Sequence, residues 1–320
     1  MTEIVVTAPA RLHFGMLDPA GMGTRRYGGV GVGIGRPRVA VAVAPSATPG
    51  VEVDGEQSER AAEVARRVWS QLGLRDGARL TVREAIPPHM GLGSGTKLGL
   101  AIARALGELA GLDLDPAALA RLSGRGARSS VGSWTFALPG LVVEAGVRDE
   151  GSISPLIARH PMPERWRCVL ALPLRAQGLA GAAEERFFAG LSEPAGAEPS
   201  VARLLLTALL PGLITGDIEE FGVALTEMQR AVGSIFAAEQ GGVYHAQAAP
   251  LIAALLQLGV GAVGQSSWGP ATYGIVESPE RAAEVARELR AIAGAAARVE
   301  IVDFDRRGAL VERRAEASLP

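Results

Sequence analysis

Apolar positions recur along this chain with two different periods. Residues 3–8 (EIVVTA) and 38–44 (RVAVAVA) are rich in β-branched residues and alternate in part, which predicts strands. Residues 58–73 put Ala61, Val64, Val68 and Leu72 on one face at helical spacing, with Gly73 as a stop. A strand is expected over 78–86, running into Pro87-Pro88. The segment 97–111 (KLGLAIARALGELAG) is apolar enough that its helix should be buried. Asp115-Pro116 forms a cap and first-turn pair for a helix over 116–123. A turn and strand are expected over 138–146, then a proline-bearing loop over 147–165. The second half predicts a strand over 166–174 and helices near 180–191, 199–210, 216–239 and 246–258. Strands over 261–267 and 272–278 flank Trp268-Gly269-Pro270, and a helix over 279–294 and a strand over 297–305 close the pattern. No internal repeat is present. The mixed order predicts an α+β or α/β protein in two lobes, residues 1–160 and 161–320.

Composition narrows the class. The chain has 320 residues, 48% hydrophobic and 21% charged, with a formal net charge of −2. That suits a globular protein and argues against a general nucleic-acid binder, as does an aromatic share of only 4%. The single cysteine, Cys168, has no disulfide partner within the chain and is expected in the core. His13, His89, His160 and His245 are far apart in sequence, so a histidine-rich metal site is not expected. The N-terminus lacks a basic start and a long apolar run, and no bilayer-length apolar stretch follows; the expectation is a cytoplasmic protein with no membrane or nucleic-acid partner.

Chemistry concentrates in a few segments. In 87–103 (PPHMGLGSGTKLGLAIA) a strand ends, Gly91, Leu92, Gly93, Ser94 and Gly95 make a tight turn, and a helix begins near Thr96. Free N–H groups at a helix N-terminus favour an anion, and Ser94, Thr96 and Lys97, the only lysine of the chain, add donors. The spacing is neither a Walker loop nor a dinucleotide fingerprint. A glycine-stabilised loop without a ligand would use the same residues.

Residues 8–21 place Arg11, His13 and Asp18 just after the first strand, and 23–35 carry Arg25 and Arg26 in a glycine-dense stretch. Five arginines stand in residues 1–40 against Glu3 and Asp18, which indicates a local anion site or a solvated basic rim. Asp18 is a candidate Mg²⁺ ligand, since that ion takes one or two carboxylates plus phosphate oxygens; before Pro19 it is equally a turn former. Ser129 and Ser130 suit a phosphate, a sugar or a helix cap. Gln265, Ser266 and Ser267 end a strand, and Trp268 either walls a pocket or is an interior tryptophan with its N–H satisfied. Asp303 and Asp305 share a strand face but sit next to Arg306 and Arg307, which favours a surface turn over a metal pair. His89, beside Pro88, reads as structural.

Taken together, PARLHFGMLD, PPHMGLGSGTKLGLA and GAVGQSSWGPATYG resemble three motifs of the GHMP superfamily, in order and across nearly the whole chain. RRYGGVGVGIG and SSVGSWTF narrow the likeness to its β-ribofuranosylaminobenzene 5′-phosphate synthase branch. The resemblance implies a two-lobed α+β fold with mixed sheets packed against helices, Mg²⁺ dependence and a homodimer. It implies that phosphoribosyl pyrophosphate and 4-aminobenzoate give a C-riboside phosphate, CO₂ and pyrophosphate, an early step in tetrahydromethanopterin formation; some relatives use 4-hydroxybenzoate. Asp18 then holds Mg²⁺, while Arg25 or Arg26 stabilises the leaving group. Kinases of the superfamily carry an Asp base where this chain has Gly132, which disfavours ATP-dependent phosphoryl transfer.

Overall fold

The computed structural model describes residues 2–21, 23–126, 128–148, 153–174, 178, 186–188, 190 and 201–315. Its larger sheet has seven strands. The ordered path is β11 (Leu310–Ala315), β1 (Thr2–Gly15), β2 (Gly29–Ser46), β4 (Gly77–Glu84) and β3 (Val51–Gly55). From β2 the sheet branches to β5 (Leu141–Glu144) and then β6 (Leu156–His160). Only β3 and β4 pair in parallel among the described strands. The smaller sheet is antiparallel, in the order β10 (Ala297–Val302), β7 (Arg167–Pro173), β9 (Thr272–Val276), β8 (Ala262–Gln265). Sheets of this kind bury one face, and helices cover both here.

Helix α1 (Ser58–Gln71) and helix α2 (Ser94–Leu109) pack on the larger sheet. Ten residues of α2 are buried, so it lies inside the first lobe, as its apolar run requires. Asp115 caps α3 (Pro116–Ser123) by accepting Ala118 N–H at 2.7 Å. A short α4 (Val131–Ala137) sits beneath β2 and β5. In the second half, helix Ile218–Gln240 spans both lobes, packing on β8 and β1. One apolar core runs through both sheets, and a second lies between the smaller sheet and helices Ala249–Gln257 and Pro279–Ala293. Among the described residues no helix is long and apolar enough to cross a membrane.

Several elements differ from the sequence pattern. β1 continues to Gly15, so Arg11 and His13 lie within the strand, not after it. The reason is β2, whose glycine-dense start pairs with residues 10–15 of β1 instead of forming a loop. Its glycines are packing devices. A Cβ at Gly31 would overlap the Leu12 carbonyl and lie 2.7 Å from Val131; one at Gly29 would lie 3.1 Å from Glu144 Oε1 and 3.2 Å from His13 Nε2. The loop over 147–165 contains β6, and the helix near 199–210 is a helical run, interrupted by a π turn at Leu205–Leu209, that extends to Thr215. Most of the expected helix 180–191 lies outside the described residues; residues 186–188 and 190 are helical. After residue 304 the chain returns to the first sheet, where β11 pairs with β1. Cys168 is fully buried, and burial pushes its thiol up.

Replacing Gly31 by valine should cost about 1–3 kcal/mol through overpacking. The expected signature is a lower urea midpoint with an unchanged slope; an unchanged midpoint would contradict this packing.

Candidate active site

The loop between β1 and β2 is closed by Asp18 and Tyr27, which exchange both backbone hydrogen bonds at 2.7 Å. Asp18 Oδ1 accepts Gly21 N–H at 2.9 Å and Oδ2 accepts Gly23 N–H at 3.0 Å. The carboxylate thus organises the loop that carries both arginines. Arg25 is half-buried and donates from Nη1 to the Gly146 carbonyl at 3.1 Å. Arg26 is exposed, with its guanidinium 5.5 Å from the Tyr27 ring centroid. Among the described residues no group of three or more His, Cys, Asp or Glu is placed to hold a metal ion.

The glycine turn before α2 forms as expected. Gly91 and Gly93 adopt φ of 73° and 79°, and no side chain caps the helix at Gly93. The first-turn amides of Ser94, Gly95 and Thr96 have no intrahelical partner, and the helix dipole adds to their pull on an anion. Three arginines crowd this turn. A Cβ at Gly95 would overlap the Arg60 guanidinium and lie 3.2 Å from Arg125 Nη2, and one at Gly93 would lie 3.3 Å from Arg11 Cγ. Arg60 and Arg125 are functional candidates that sequence reasoning missed. Arg60 reads as a solvated residue on the polar face of α1, and nothing in the sequence places it against α2. Leu92 anchors the turn: its side chain is buried and its carbonyl accepts Arg11 N–H at 3.2 Å.

Between these two basic regions lies a buried polar chain. His13 Nε2 is 3.0 Å from Ser129 Oγ, which donates to Glu144 Oε1 at 3.0 Å. Glu144 Oε1 also accepts Ser130 N–H at 3.0 Å, and Oε2 accepts Gly146 N–H at 3.3 Å. Burial raises the Glu144 carboxyl above its ordinary value, opposed by hydrogen bonds from Ser154, Ser130, Ser129 and Gly146. His13 is pulled down to about 3 by burial and then by Arg11, so its imidazole is neutral. Glu144 was not legible as a site residue. The available signal was an acid closing an otherwise apolar strand, LVVE.

The second lobe contributes residues 265–268. Ser266 Oγ accepts His13 N–H at 2.9 Å and donates to the Gly91 carbonyl at 2.6 Å. The Gln265 amide donates to Gln240 Oε1 and the Ser267 carbonyl, each at 3.1 Å, and accepts His245 N–H at 2.7 Å. In this structure both side chains are engaged in holding the loops of the site together. Trp268 is buried against Phe236, ring centroids 4.6 Å apart. A cavity of about 20 Å³, lined in part by His13, Met16, Gln229, Phe236, Gln265 and Trp268, opens here. It has room for about one water, so an aromatic ring enters only if the Trp268–Phe236 pair shifts.

Comparison with known proteins fits this geometry. Residues 59–135 match the family description "GHMP kinases N terminal domain" and residues 209–295 match "GHMP kinases C terminal". A β-ribofuranosylphenol 5′-phosphate synthase of Methanothermobacter thermautotrophicus is 30% identical over 90% of this chain and 93% of its own. Its namesake in Archaeoglobus fulgidus is 31% identical over 88% and 90%. The chain belongs to this synthase family. Its fold is shared with Streptococcus pneumoniae phosphomevalonate kinase (TM-score 0.70, 13% identity, 95% and 100% covered) and Cytophaga hutchinsonii homoserine kinase (0.68, 17%, 97% and 97%).

Within the synthase family framework, two positions are informative. A Cβ at Gly132 would lie 2.9 Å from Thr96 Cγ2, so helix α4 packs directly on the glycine turn, and a side chain at 132 would have to displace Thr96. Lys97 corrects the expectation of a phosphate ligand. It is fully buried on the inner face of α2 and donates to Thr135 Oγ1 at 2.9 Å. Asp305 and Asp303 are not a metal pair: Asp305 Oδ2 caps a turn at Gly308 N–H (2.7 Å), and Asp303 pairs with Arg167 at 2.9 Å.

Lys97 also yields a pH test. Burial, then the Arg11 charge, pulls its ammonium well below the ordinary lysine value, opposed by Asp305. The unfolded chain therefore binds this proton more readily, and the group's contribution to stability rises with pH toward the ordinary lysine range. Lys97→Met should be more stable than the parent near pH 7, by a margin that shrinks toward about pH 10. Urea midpoints at the two ends check this; a margin independent of pH would contradict it.

Proposed function

We propose that the chain catalyses a decarboxylating C-phosphoribosyl transfer, joining phosphoribosyl pyrophosphate to a para-substituted benzoate. The observation that carries the reading is position 132. Gly132 packed on Thr96 leaves no carboxylate to orient an acceptor hydroxyl, while the phosphate-binding turn beside it is intact and lined by Arg11, Arg60 and Arg125. A polyanionic donor without a phosphoryl acceptor suits this arrangement. The family relationship supports it.

The reaction asks little proton chemistry of the protein. The ring carbon bearing the carboxylate is electron-rich because of the para substituent, and ribose C1 becomes cationic as pyrophosphate departs. The protein aligns the two, neutralises the leaving charge and excludes water. The amides of Gly91 to Thr96 with Arg60 and Arg125 bind one phosphate group of the donor. Arg25, held on the Gly146 carbonyl beside the buried chain, meets the departing charge; Arg26, stacked outside on Tyr27, serves only as a basic rim. Mg²⁺, when bound, would neutralise pyrophosphate oxygens. Asp18 is the residue that would hold it, since one carboxylate is a usual protein share of such a site. A carboxylate gripped by arginine resists becoming neutral CO₂, so the acceptor belongs against the apolar wall of Trp268 and Phe236.

The resemblance alone points to 4-aminobenzoate. The relatives' names describe a phenol product, which favours 4-hydroxybenzoate as acceptor, with 4-aminobenzoate the second reading.

Pyrophosphate release is expected with phosphoribosyl pyrophosphate and either acid, with the larger kcat/KM for 4-hydroxybenzoate. ATP consumption with an alcohol, and no pyrophosphate release with either acid, would contradict the reading. Arg25→Ala should lower kcat on the order of 10²-fold, and Arg26→Ala by less than about fivefold. Equal effects would remove the distinction between them.

A further inference from the structure

The buried His13–Ser129–Glu144 chain has no task in the reaction as described so far, yet it is costly to build. Glu144 is fully buried, and among the described residues no cation pairs with it. A carboxylate in that setting is kept only by hydrogen bonds, and removing any of them is expensive. With Glu144 ionised, Ser129 gives its one hydroxyl proton to Glu144 Oε1. Ser129 Oγ also accepts Val131 N–H at 3.3 Å. The 3.0 Å contact with His13 Nε2 is then assigned to the tautomer whose imidazole N–H donates to Ser129. His13 is neutral, so its other nitrogen, Nδ1, carries a lone pair. His13 also lines the small cavity beside Trp268. Glycine at position 29 leaves space for both ends of the chain, His13 Nε2 and Glu144 Oε1.

We propose that this chain borrows and returns the para-hydroxyl proton of a 4-hydroxybenzoate acceptor, with Glu144 as the buried store and positioning residue; this rests on the transfer proposed above. As the ring carbon bearing the carboxylate gives its electron pair to ribose C1, the C1–O bond breaks and its pair leaves with pyrophosphate. The phenol O–H bond breaks at the same time. Its electron pair forms the carbonyl of a cyclohexadienone, and its proton passes to His13 Nδ1. The Nε2 proton moves to Ser129, and the Ser129 proton moves to Glu144. When the bond to the carboxylate breaks and CO₂ leaves, that pair restores the aromatic ring. The oxygen, now phenolate, takes its proton back along the same path. No proton is gained or lost overall. Burial favours this role because it makes neutral Glu144 easier to reach than an exposed carboxylic acid. An amino substituent needs no such transfer before the new bond forms, because it donates more strongly than a neutral hydroxyl and gives a stable iminium rather than a strongly acidic protonated ketone.

Glu144→Gln and Ser129→Ala are compared with the parent enzyme on both acids. With 4-hydroxybenzoate, kcat should fall on the order of 10²-fold or more in each variant. With 4-aminobenzoate the loss should stay within about tenfold. A ring-fluorinated 4-hydroxybenzoate, whose phenol ionises more readily, should recover most of the loss in the variants and give little gain in the parent. Equal losses on both acids, or no recovery with the fluorinated acid, would overturn the relay. Glu144→Asp, which keeps the carboxylate, provides the test if Gln at this position prevents folding: partial activity with the same acceptor ordering supports the relay, and the opposite ordering overturns it. A parent enzyme that releases no pyrophosphate with any of these acids would refute the transfer itself, a result distinct from failure of the relay.

Discussion

The site depends on how β1 is held between the lobes, and the Ser266 hydroxyl is a central tie in it. Ser266 Oγ accepts the His13 N–H and donates to the Gly91 carbonyl, while Ser267 N–H donates back to the His13 carbonyl at 3.1 Å. A strand of the first lobe, the glycine turn before α2 and the loop of the second lobe thus share one buried hub. Ser266 is fully buried, so losing the hydroxyl would leave the His13 N–H without its partner, a cost of about 1–3 kcal/mol. Arg11 adds a second tie, donating from Nη1 to the Gly91 carbonyl. These bonds fix the far side of the glycine turn before α2.

Charge is sorted around that hub. Arginines gather at the α2 turn and in the β1–β2 loop, where anions of a polyphosphate donor would lie. Among the described residues the one deeply buried carboxylate, Glu144, sits between them and pairs with hydroxyls and amides. It supports Arg25 indirectly, because the Gly146 amide that Glu144 accepts belongs to the peptide segment whose carbonyl receives Arg25. His13 stays neutral beside Arg11 for the same reason that Lys97 is depressed: both are buried close to a fixed positive charge. The arrangement favours bound anions without placing a competing carboxylate at the phosphate turn.

Much of this was legible in the sequence where local chemistry decides the structure. The glycine turn, α2, the Asp115 cap and the closing of a loop by Asp18 follow from residue type and spacing. The family motifs added the fold. The failures share a cause. A glycine-dense run such as that holding Gly29, Gly31 and Gly33 suggests a loop by residue type alone, but these residues sit in a strand against which other segments pack closely. Lys97 follows a phosphate turn in sequence, yet helical geometry points it to the opposite side, into the core. Arg60 and Glu144 belong to elements far apart in sequence and meet the site only after folding, so no local pattern marks them. The same holds for Gln265 and Ser266, whose side chains bond to residues distant in sequence, such as Gln240 and His13.

In the proposed reaction each carbon–carbon bond formed is matched by one pyrophosphate released and one carboxylate lost as CO₂. The direct measurement is the stoichiometry of a single turnover, with carboxyl-labelled acceptor and phosphoribosyl pyrophosphate. One CO₂ for each pyrophosphate, with the riboside joined through the carbon that carried the carboxylate, is the predicted result. Pyrophosphate release with the label retained in the product would mean transfer to oxygen, nitrogen or water, and would contradict it.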